Sequence, residues 1–253
     1  MPARIASLYR HPVKGFTPER LEKADLAVGA CFPCDRLFAV EDGPSGFDPA
    51  APAFVSKMKF AVLAKIAEVA QARTAYDEVS GVLTAHAEGM APISADLASI
   101  EGREAFALWL GELLGDAAAG PLRLIEGPGA HRFMDHPQGH VSIVNLASVR
   151  DLEARLGRPV NPLRFRANLY VEGWEPWIEN GWAGRRLRLG EAEAQVYKPI
   201  VRCAATGVDP ETAERDIELT AALFEAYGHM LCGIYVQVDR AGAVRAGDLI
   251  EDL

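Results

Sequence analysis

Apolar residues recur along the chain in short runs, many of them alternating with polar residues and separated by turns that contain Gly, Pro or Asp. Alternation with a period of two residues predicts strands that bury one face, and a short continuous apolar run is consistent with a buried strand. The predicted strands are residues 4–9, 21–28, 35–40, 63–70, 81–87, 122–126, 141–145, 164–171, 184–190, 194–201 and 232–238. Many short strands between turn signals predict a β-rich α+β fold of barrel type.

Three segments have helical spacing instead. The clearest is residues 100–114, where apolar side chains form one stripe that ends at Gly115. Residues 148–156 are predicted to begin with Ser148 as the N-cap, and residues 217–227 form the third helix. The sequence therefore predicts few helices among many strands.

A stretch rich in Gly, Ala and Pro at residues 115–129 marks a change in composition near the middle of the chain. Domain boundaries fall in such segments, so we expect an N-terminal half at residues 1–128 and a C-terminal half at residues 129–253. In the first half, residues 21–28 and 35–40 are predicted to pair around an intervening turn.

The chain has 253 residues, of which 49% are hydrophobic and 24% charged, and its net charge is −9. These proportions are typical of a globular protein with a sizeable core. An acidic balance disfavours general binding to nucleic acid, although a local basic pocket for a phosphate remains compatible with it. No apolar run reaches the length of a membrane span and no signal peptide is evident, so we expect a cytoplasmic protein without a membrane span.

The candidate metal and redox residues in two loops allow more than one interpretation. Cys31 and Cys34 form a C-x-x-C motif, which fits a zinc site, a redox pair or two reduced thiols. His131, His136 and His140 form a second cluster, which fits either a metal site or a polar loop that lines a cleft.

Cys203 lies between a predicted strand and a loop that turns at Asp209 and the proline after it. A lone cysteine is often a small buried hydrophobe, but the adjacent Arg202 favours a thiolate. A thiolate in a loop acts as a nucleophile, a redox group or a ligand for a soft metal.

Several cations have spacings that suit an anion. Lys14 precedes a glycine in a predicted turn, and Arg36 follows an aspartate, so each fits either a phosphate contact or an ordinary surface position. With a period of two, Arg164, Arg166 and Asn168 share one strand face. A buried cation needs a partner, so that face is either exposed or turned towards an anionic ligand.

The segments HPVKG, DRLFAV, RFRANLYV, RCAATGVDPETAERD and VRAGDLI together resemble motifs of the MOSC family, the molybdenum cofactor sulfurase C-terminal domain proteins. That family includes the amidoxime reducing component and its bacterial relatives. The resemblance implies a closed MOSC-type β-barrel preceded by a β-rich N-terminal subdomain. The chain departs from the family pattern at Gly15, Ala167 and Gly207, where serine, proline and threonine are common.

The resemblance also implies a molybdenum–pyranopterin cofactor whose metal is bound by Cys203. The cofactor-binding positions that match are Lys14, Arg36, Asn145, Ser148, Arg166, Asn168, Arg202 and Tyr235. Asp209 is either a proton donor in catalysis or a turn-forming residue.

The activity implied is two-electron reduction of N-hydroxylated compounds, with cleavage of the N–O bond. The chain has no iron–sulfur, flavin or nicotinamide motif, so we expect electrons from a separate ferredoxin-, flavodoxin- or cytochrome-like protein. Two alternatives use the same residues, namely a non-catalytic cofactor carrier and a sulfur carrier with a persulfide on Cys203.

Overall fold

The computed structural model describes residues 2–253, and most of the regular structure within them is β-sheet. The strands are β1 Arg4–Arg10, β2 Glu19–Leu21, β3 Lys23–Leu26, β4 Phe38–Asp42, β5 Arg73–Tyr76, β6 Val82–His86, β7 Ile93–Asp96, β8 Leu122–Glu126, β9 Val141–Asn145, β10 Leu169–Glu172, β11 Arg186–Leu189, β12 Ala192–Val201, β13 Leu231–Arg240, β14 Gly242–Arg245 and β15 Ile250–Asp252. The helices are α1 Ile100–Leu114, α2 Leu146–Leu156 and α3 Leu219–Tyr227. Few helices among many strands is what the sequence predicts.

The main sheet has eight strands in the order β15-β11-β12-β13-β9-β10-β1-β2. β9 and β10 pair in parallel and the other neighbours are antiparallel. β1 and β2 join this sheet from the start of the chain, and β3 pairs with β14 near its end. The first residues therefore belong structurally with the C-terminal strands.

The predicted closed barrel is wrong in its closure. The main sheet is an open half-barrel, because its terminal strands β15 and β2 have only three residues each and do not pair. The start of β1 approaches the segment next to β15, where Arg4 bridges Leu249 and the Ile5 backbone exchanges hydrogen bonds with Gly247 and Asp248.

Three apolar clusters make up most of the core. One fills the N-terminal half around Phe106 and Leu110 of α1, and another fills the concave side of the main sheet. The third packs α2 and α3 against the sheet through Leu152 and Leu223. The candidate chemistry lies where loops of both halves meet above these layers.

Local signals account for the elements that match prediction. α1 has the predicted bounds because the Ser99 hydroxyl accepts the Gly102 N–H and Gly115, with φ of +48°, ends the helix. Asn145 caps α2, so the prediction of Ser148 as the cap is wrong, and Ser148 lies buried inside the helix.

Three strand predictions are wrong. Residues 63–70 form turns and the start of a 3-10 helix at Ala67–Gln71, which packs Val69 against the α1 cluster. Residues 21–28 and 35–40 do not pair, because β3 pairs with β14 and β4 pairs with β8.

The third error changes the site. Pro162–Phe165 forms a 3-10 helix and Arg166 has a left-handed backbone with φ of +51°, so β10 begins only at Leu169. The period-two face of Arg164, Arg166 and Asn168 therefore does not exist, and each of these side chains has its own direction.

Candidate functional site

Five cationic side chains converge beside the Cys203 loop. They are those of Lys14, Arg36, Lys57, Arg166 and Arg202. They are linked through Asp135 and Tyr235, since each cation lies close enough to one of these two side chains for their charges to interact. We call this set the cationic cluster.

Lys14 is almost fully buried behind the end of β1. Its ammonium donates to the Phe133 carbonyl at 2.8 Å and to Asp135 Oδ1 at 2.5 Å. Burial lowers the pKa of Lys14, and Arg36 and Lys57 add to that shift, while Asp135 opposes it. Desolvation disfavours the charged form of Asp135, but Lys14, Lys57 and Arg36 outweigh it and hold its pKa well below the usual range. Asp135 is thus an anion held among cations.

Arg36 is fixed by the buried carboxylate that precedes it. It forms an ion pair with Asp35 and donates to the Arg166 carbonyl at 3.0 Å. Asp35 also accepts the His11 backbone N–H at 2.6 Å and interacts with the Asn168 side chain. Burial disfavours the charge on Asp35, but Arg36 outweighs it and lowers the pKa of Asp35. Asn168 therefore reaches the cationic cluster indirectly, by helping to hold Asp35.

Arg166 and Arg202 each have one guanidinium nitrogen left over. Arg166 Nη1 donates to the Phe16 carbonyl at 2.6 Å, and Arg202 donates to the Cys232 and Phe165 carbonyls, both at 2.7 Å. In both residues Nη2 is buried and has no hydrogen-bond partner within residues 2–253. Burial and the neighbouring Arg36 lower the pKa of Arg166 to about 10. Two buried donors without acceptors are costly unless an anion occupies the site.

Cys203 follows the end of β12 as a free, half-buried thiol, between the partly buried Arg202 and the exposed Ala204. The Lys57 ammonium lies close enough to the Cys203 sulfur for the two groups to interact electrostatically. Burial lowers the pKa of Lys57, but Asp135 and Cys203 outweigh it and raise that pKa. None of the sequence motifs that indicate the site includes Lys57.

The loop after Cys203 is held by a buried guanidinium. Arg164 donates to Asp209 Oδ2 at 2.6 Å and to the Gly207 carbonyl at 3.1 Å, and it pairs with Asp216 at 2.8 Å. The other Asp209 oxygen accepts the backbone N–H groups of Glu211 and Thr212. Both Asp209 oxygens are therefore engaged in shaping the turn.

Asn145 and Ser148 lie in a separate buried network around Glu179. Asn145 Nδ2 donates to Glu179 Oε2 at 2.9 Å, and the Ser148 hydroxyl donates to Glu179 Oε1 at 2.9 Å. The Asn145 oxygen caps α2, and Ser148 Oγ accepts the Trp177 N–H. Burial raises the pKa of Glu179, since desolvation outweighs these donors. The structure therefore engages both predicted residues within the protein and does not bring them into the cationic cluster.

Tyr235 lies on β13 within the cationic cluster, and burial and Asp135 raise its pKa. The His136 ring approaches Tyr235 at 6.0 Å, while His131 packs on Phe47 and Phe133. No three His, Cys, Asp or Glu side chains within residues 2–253 are arranged to hold a metal ion.

Cys31 and Cys34 are free thiols. Burial raises the pKa of both, that of Cys34 to about 11, and Cys34 donates to Glu78 at 3.0 Å. These thiols are therefore less reactive than ordinary cysteines.

The three departures from the family pattern have local causes. A Cβ at Gly15, where φ is +93°, would lie 3.1 Å from the Ala61 oxygen, and one at Gly207 would lie 2.8 Å from the Ile217 oxygen. The Ala167 N–H donates to the Tyr170 hydroxyl at 3.2 Å, a bond that proline cannot make.

A concavity of about 1300 Å³ lies elsewhere, between α1 and β8, and is lined by residues such as Leu108 and Ile125. A smaller one of about 320 Å³ contains Cys31, Cys34 and Phe133. Phe133 also accepts from Lys14, so the smaller concavity borders the cationic cluster.

The donor set suits a cofactor that combines an anionic tail with a soft metal. Guanidinium groups bind phosphate oxygens with directed hydrogen bonds, and a thiolate is a ligand for soft metals. Arg166 Nη2 and Arg202 Nη2 are free for such oxygens, and Cys203 is a half-buried residue with a free thiol next to the same cluster. These residues fit a molybdenum–pyranopterin.

Known proteins resemble the chain in both halves. The model of the MOSC N-terminal beta barrel domain matches residues 2–118, and the model of the MOSC domain matches residues 130–251. Mitochondrial amidoxime reducing component 2 of Rattus norvegicus is 29% identical over 120 residues, which cover 43% of this chain and 35% of that protein. Molybdenum cofactor sulfurase of Caenorhabditis elegans is 32% identical over 133 residues, which cover 51% of this chain and 18% of that protein.

The matched region thus spans about a third or less of the length of these relatives. Among solved structures, the YUAD protein from Bacillus subtilis aligns with 99% of this chain and 94% of its own, with 17% identity and a TM-score of 0.47. No helix within residues 2–253 has the length and apolarity needed to cross a membrane. With a MOSC N-terminal domain and a MOSC domain covering nearly all of its length, the chain belongs to the MOSC family.

Proposed function

We propose that the cationic cluster binds a molybdenum–pyranopterin cofactor and that Cys203 is the protein ligand of the metal. The observation that carries this proposal is the pair of buried, unpartnered guanidinium nitrogens on Arg166 and Arg202 beside a free thiol. An anionic group would satisfy both donors, and a soft metal would suit the sulfur.

The residues around the site divide into contacts and supports. Lys14, Arg36, Arg166 and Arg202 balance the negative charge of the cofactor, and Tyr235 lines the same space. Asn168 acts through Asp35, which fixes Arg36. Asp209 acts through Arg164 by shaping the Cys203 loop, so we assign it a positioning role in place of proton donation.

Asn145 and Ser148 also act at a distance. Glu179, which they hold, accepts the N–H of Gly233, and Gly233 follows the residue whose carbonyl holds Arg202. Their network therefore supports β13 behind the cationic cluster.

When bound, the cofactor supplies two-electron redox chemistry, which we assign to reduction of N-hydroxylated compounds with cleavage of the N–O bond. The resemblance to the amidoxime reducing component favours this reaction. The protein's part is to fix the cofactor, balance its charge and leave the Cys203 side open to substrate. Electrons come from a separate ferredoxin-, flavodoxin- or cytochrome-like protein.

The test is elemental and pterin analysis of the full chain made in a host that synthesises the cofactor. We expect wild-type protein to hold about one molybdenum per chain, Cys203→Ser to retain far less metal, and Cys31→Ser to match wild type. Loaded protein is then assayed with amidoximes and hydroxylamines and each class of electron donor. Absence of molybdenum and pterin from the wild-type protein contradicts cofactor binding, and a loaded but inactive protein contradicts the reductase assignment while supporting a cofactor carrier.

The resemblance to molybdenum cofactor sulfurase favours sulfur transfer as a second candidate. In that case Cys203 carries a persulfide on its way to a cofactor. Intact mass spectrometry then detects an added sulfur on Cys203 that dithiothreitol removes, in protein that holds no molybdenum. The sulfur comes from a sulfane-sulfur donor such as a cysteine persulfide, whose outer sulfur is transferred to the Cys203 thiolate while the donor leaves as a thiolate. A Cys203 that stays unmodified when such a donor is present counts against this candidate.

A further inference from the structure

Lys57 belongs to a more exposed segment of the chain than the other members of the cationic cluster. It lies in residues 48–59, a segment in which every residue except Val55 and Lys57 is exposed. The segment is anchored at its ends, because Phe47 and Phe60 both pack on Phe133. Lys57 is therefore the one charged group that this exposed segment turns inward.

The other four cations are fixed to the main chain. Lys14, Arg36, Arg166 and Arg202 each donate to a backbone carbonyl, and so form a rigid wall. The Lys57 ammonium instead lies close enough to the Cys203 sulfur, Asp135 and Tyr235 to interact with them electrostatically. Cys203 is itself half-buried, and Ala204 after it is exposed. Lys57 thus joins an exposed segment to a partly accessible cysteine.

We propose that Lys57 is a specificity-determining residue that makes access to the Cys203 sulfur selective for anionic compounds. This inference rests on the proposed function for the type of reaction. If that reaction is reduction of N-hydroxylated compounds, the preferred substrates are those that carry a carboxylate or phosphate group. In the proposed function the wall cations balance the charge of the cofactor, so Lys57 is the cation left to meet the substrate. Compounds with an amidinium or ammonium group are disfavoured, because like charges repel at short range.

The selectivity is measurable without cofactor, by the rates at which two alkylating reagents modify Cys203. Iodoacetate is anionic and iodoacetamide is neutral, and both react with the same thiolate, so the ratio of their rates does not depend on how much thiolate is present. The cofactor-free full chain is treated with each reagent, and labelling of the Cys203 peptide is followed by mass spectrometry. This readout separates Cys203 from the other three cysteines.

We expect the ratio of iodoacetate to iodoacetamide rates to fall about three- to tenfold in Lys57→Met, the size expected for removing one nearby charge from a partly exposed site. Lys57→Arg keeps the charge and retains a ratio close to wild type. Lys59→Met, two residues along the same exposed segment, is the matched control and leaves the ratio unchanged. Circular dichroism verifies folding of each variant, and Lys57→Gln replaces Lys57→Met if the latter is misfolded.

The result that overturns the inference is a Lys57→Met ratio equal to wild type, or an equal fall in Lys59→Met. Either outcome leaves molybdenum binding untouched, and failure to bind molybdenum leaves the alkylation ratio untouched. In loaded enzyme, we expect Lys57→Met to raise KM for an N-hydroxylated carboxylate several-fold and to change KM little for a neutral analogue. Equal changes for both substrates also contradict the inference.

Discussion

The Arg164 guanidinium lies 2.6 Å from the Asp209 carboxylate and 2.8 Å from that of Asp216. This contact joins the segment before β10 to both ends of the loop that follows Cys203. The arginine is almost fully buried, while the two acids are partly exposed, so the pair forms at the edge of the core. Three charged residues that sequence motifs associate with a site thus act together to position its loop.

Removing Arg164 leaves two carboxylates without their buried partner. We expect Arg164→Met to lower the free energy of unfolding by about 3 kcal/mol, because breaking a buried ion pair costs more than the pair contributes. Denaturation with urea measures this change. Arg158→Met is the control, since Arg158 meets the same Asp216 from an exposed position and should cost at most about 1 kcal/mol. Equal losses of unfolding free energy in the two variants would contradict the role of Arg164 in holding the Cys203 loop.

Arg166 should show opposite effects on stability and on binding. Its charge is buried beside Arg36 and has an unpartnered Nη2, so Arg166→Met removes repulsion in the cofactor-free protein. We expect the free energy of unfolding to stay level or to rise by about 1 kcal/mol. Binding of inorganic pyrophosphate, measured by calorimetry, should weaken about tenfold, because a charge-assisted hydrogen bond is lost.

Arg185→Met is the control for that experiment, because Arg185 pairs with Asp252 on the exposed side of the sheet. Arg185→Met should leave both the free energy of unfolding and the affinity for pyrophosphate close to their wild-type values. Loss of stability in Arg166→Met without loss of pyrophosphate binding would mean that Arg166 supports the fold and does not face an anion.

Sequence patterns succeeded where the determining interactions are local. The bounds of α1 depend on Ser99 and Gly115 within the same segment, and those of β8 and β9 on compact apolar runs. Arg166 was assigned to the wrong kind of element, because no local signal reveals that its backbone is left-handed. The Arg166 side chain also bonds to a distant partner, the Phe16 carbonyl 150 positions away, which no local pattern predicts.

In the candidate site, too, local motifs could be recognised from the sequence, whereas contacts between distant segments could not. Lys14, Arg36, Arg166, Arg202 and Cys203 were recognisable from motifs, and the structure brings them together with Tyr235. Lys57 and Asp135 were not chosen, since each reaches the cluster from a long loop whose path no periodicity predicts. Asn145 and Ser148 were chosen for the helix start that they flank, but their partner Glu179 lies more than 30 positions away.

His11 should make stability depend on pH. It is fully buried next to Arg36 and Arg166, and burial together with these cations lowers its pKa from 6.5 to about 3. The unfolded chain binds a proton on His11 between those values and the folded chain does not, so the free energy of unfolding falls as pH drops below 6.5. We expect this residue to contribute a loss of about 2 to 3 kcal/mol between pH 6.5 and 4.5.

His11→Phe isolates that contribution, because an apolar ring of similar size replaces the imidazole. Neither ring nitrogen makes a hydrogen bond within residues 2–253, although Nδ1 lies 3.4 Å from Asp35 Oδ1. At pH 7.5 we expect the free energy of unfolding of the variant to lie within about 1 kcal/mol of the wild-type value. Its loss of stability between pH 6.5 and 4.5 should be smaller by the stated amount, whereas the exposed His86→Phe should keep the wild-type slope. Parallel pH profiles for His11→Phe and wild type contradict the prediction.

Gly233 on β13 should tolerate no side chain. Its φ is +80°, and an added Cβ would lie 2.3 Å from the Ile143 carbonyl and 3.2 Å from Arg202 Nη2. Gly233→Ala must therefore push β13 away from β9 and displace the Arg202 guanidinium, which belongs to the cationic cluster. We expect the free energy of unfolding to fall by about 2 to 4 kcal/mol, since both the backbone conformation and the space are unsuited to alanine. Pyrophosphate binding should weaken in the fraction that stays folded.

Gly181→Ala serves as the control, because no atom lies within 4 Å of a Cβ built there and the loss of unfolding free energy should stay below about 1 kcal/mol. A Gly233→Ala protein with wild-type stability and pyrophosphate affinity would show that β13 and Arg202 can move apart freely, which the close contact with Ile143 argues against.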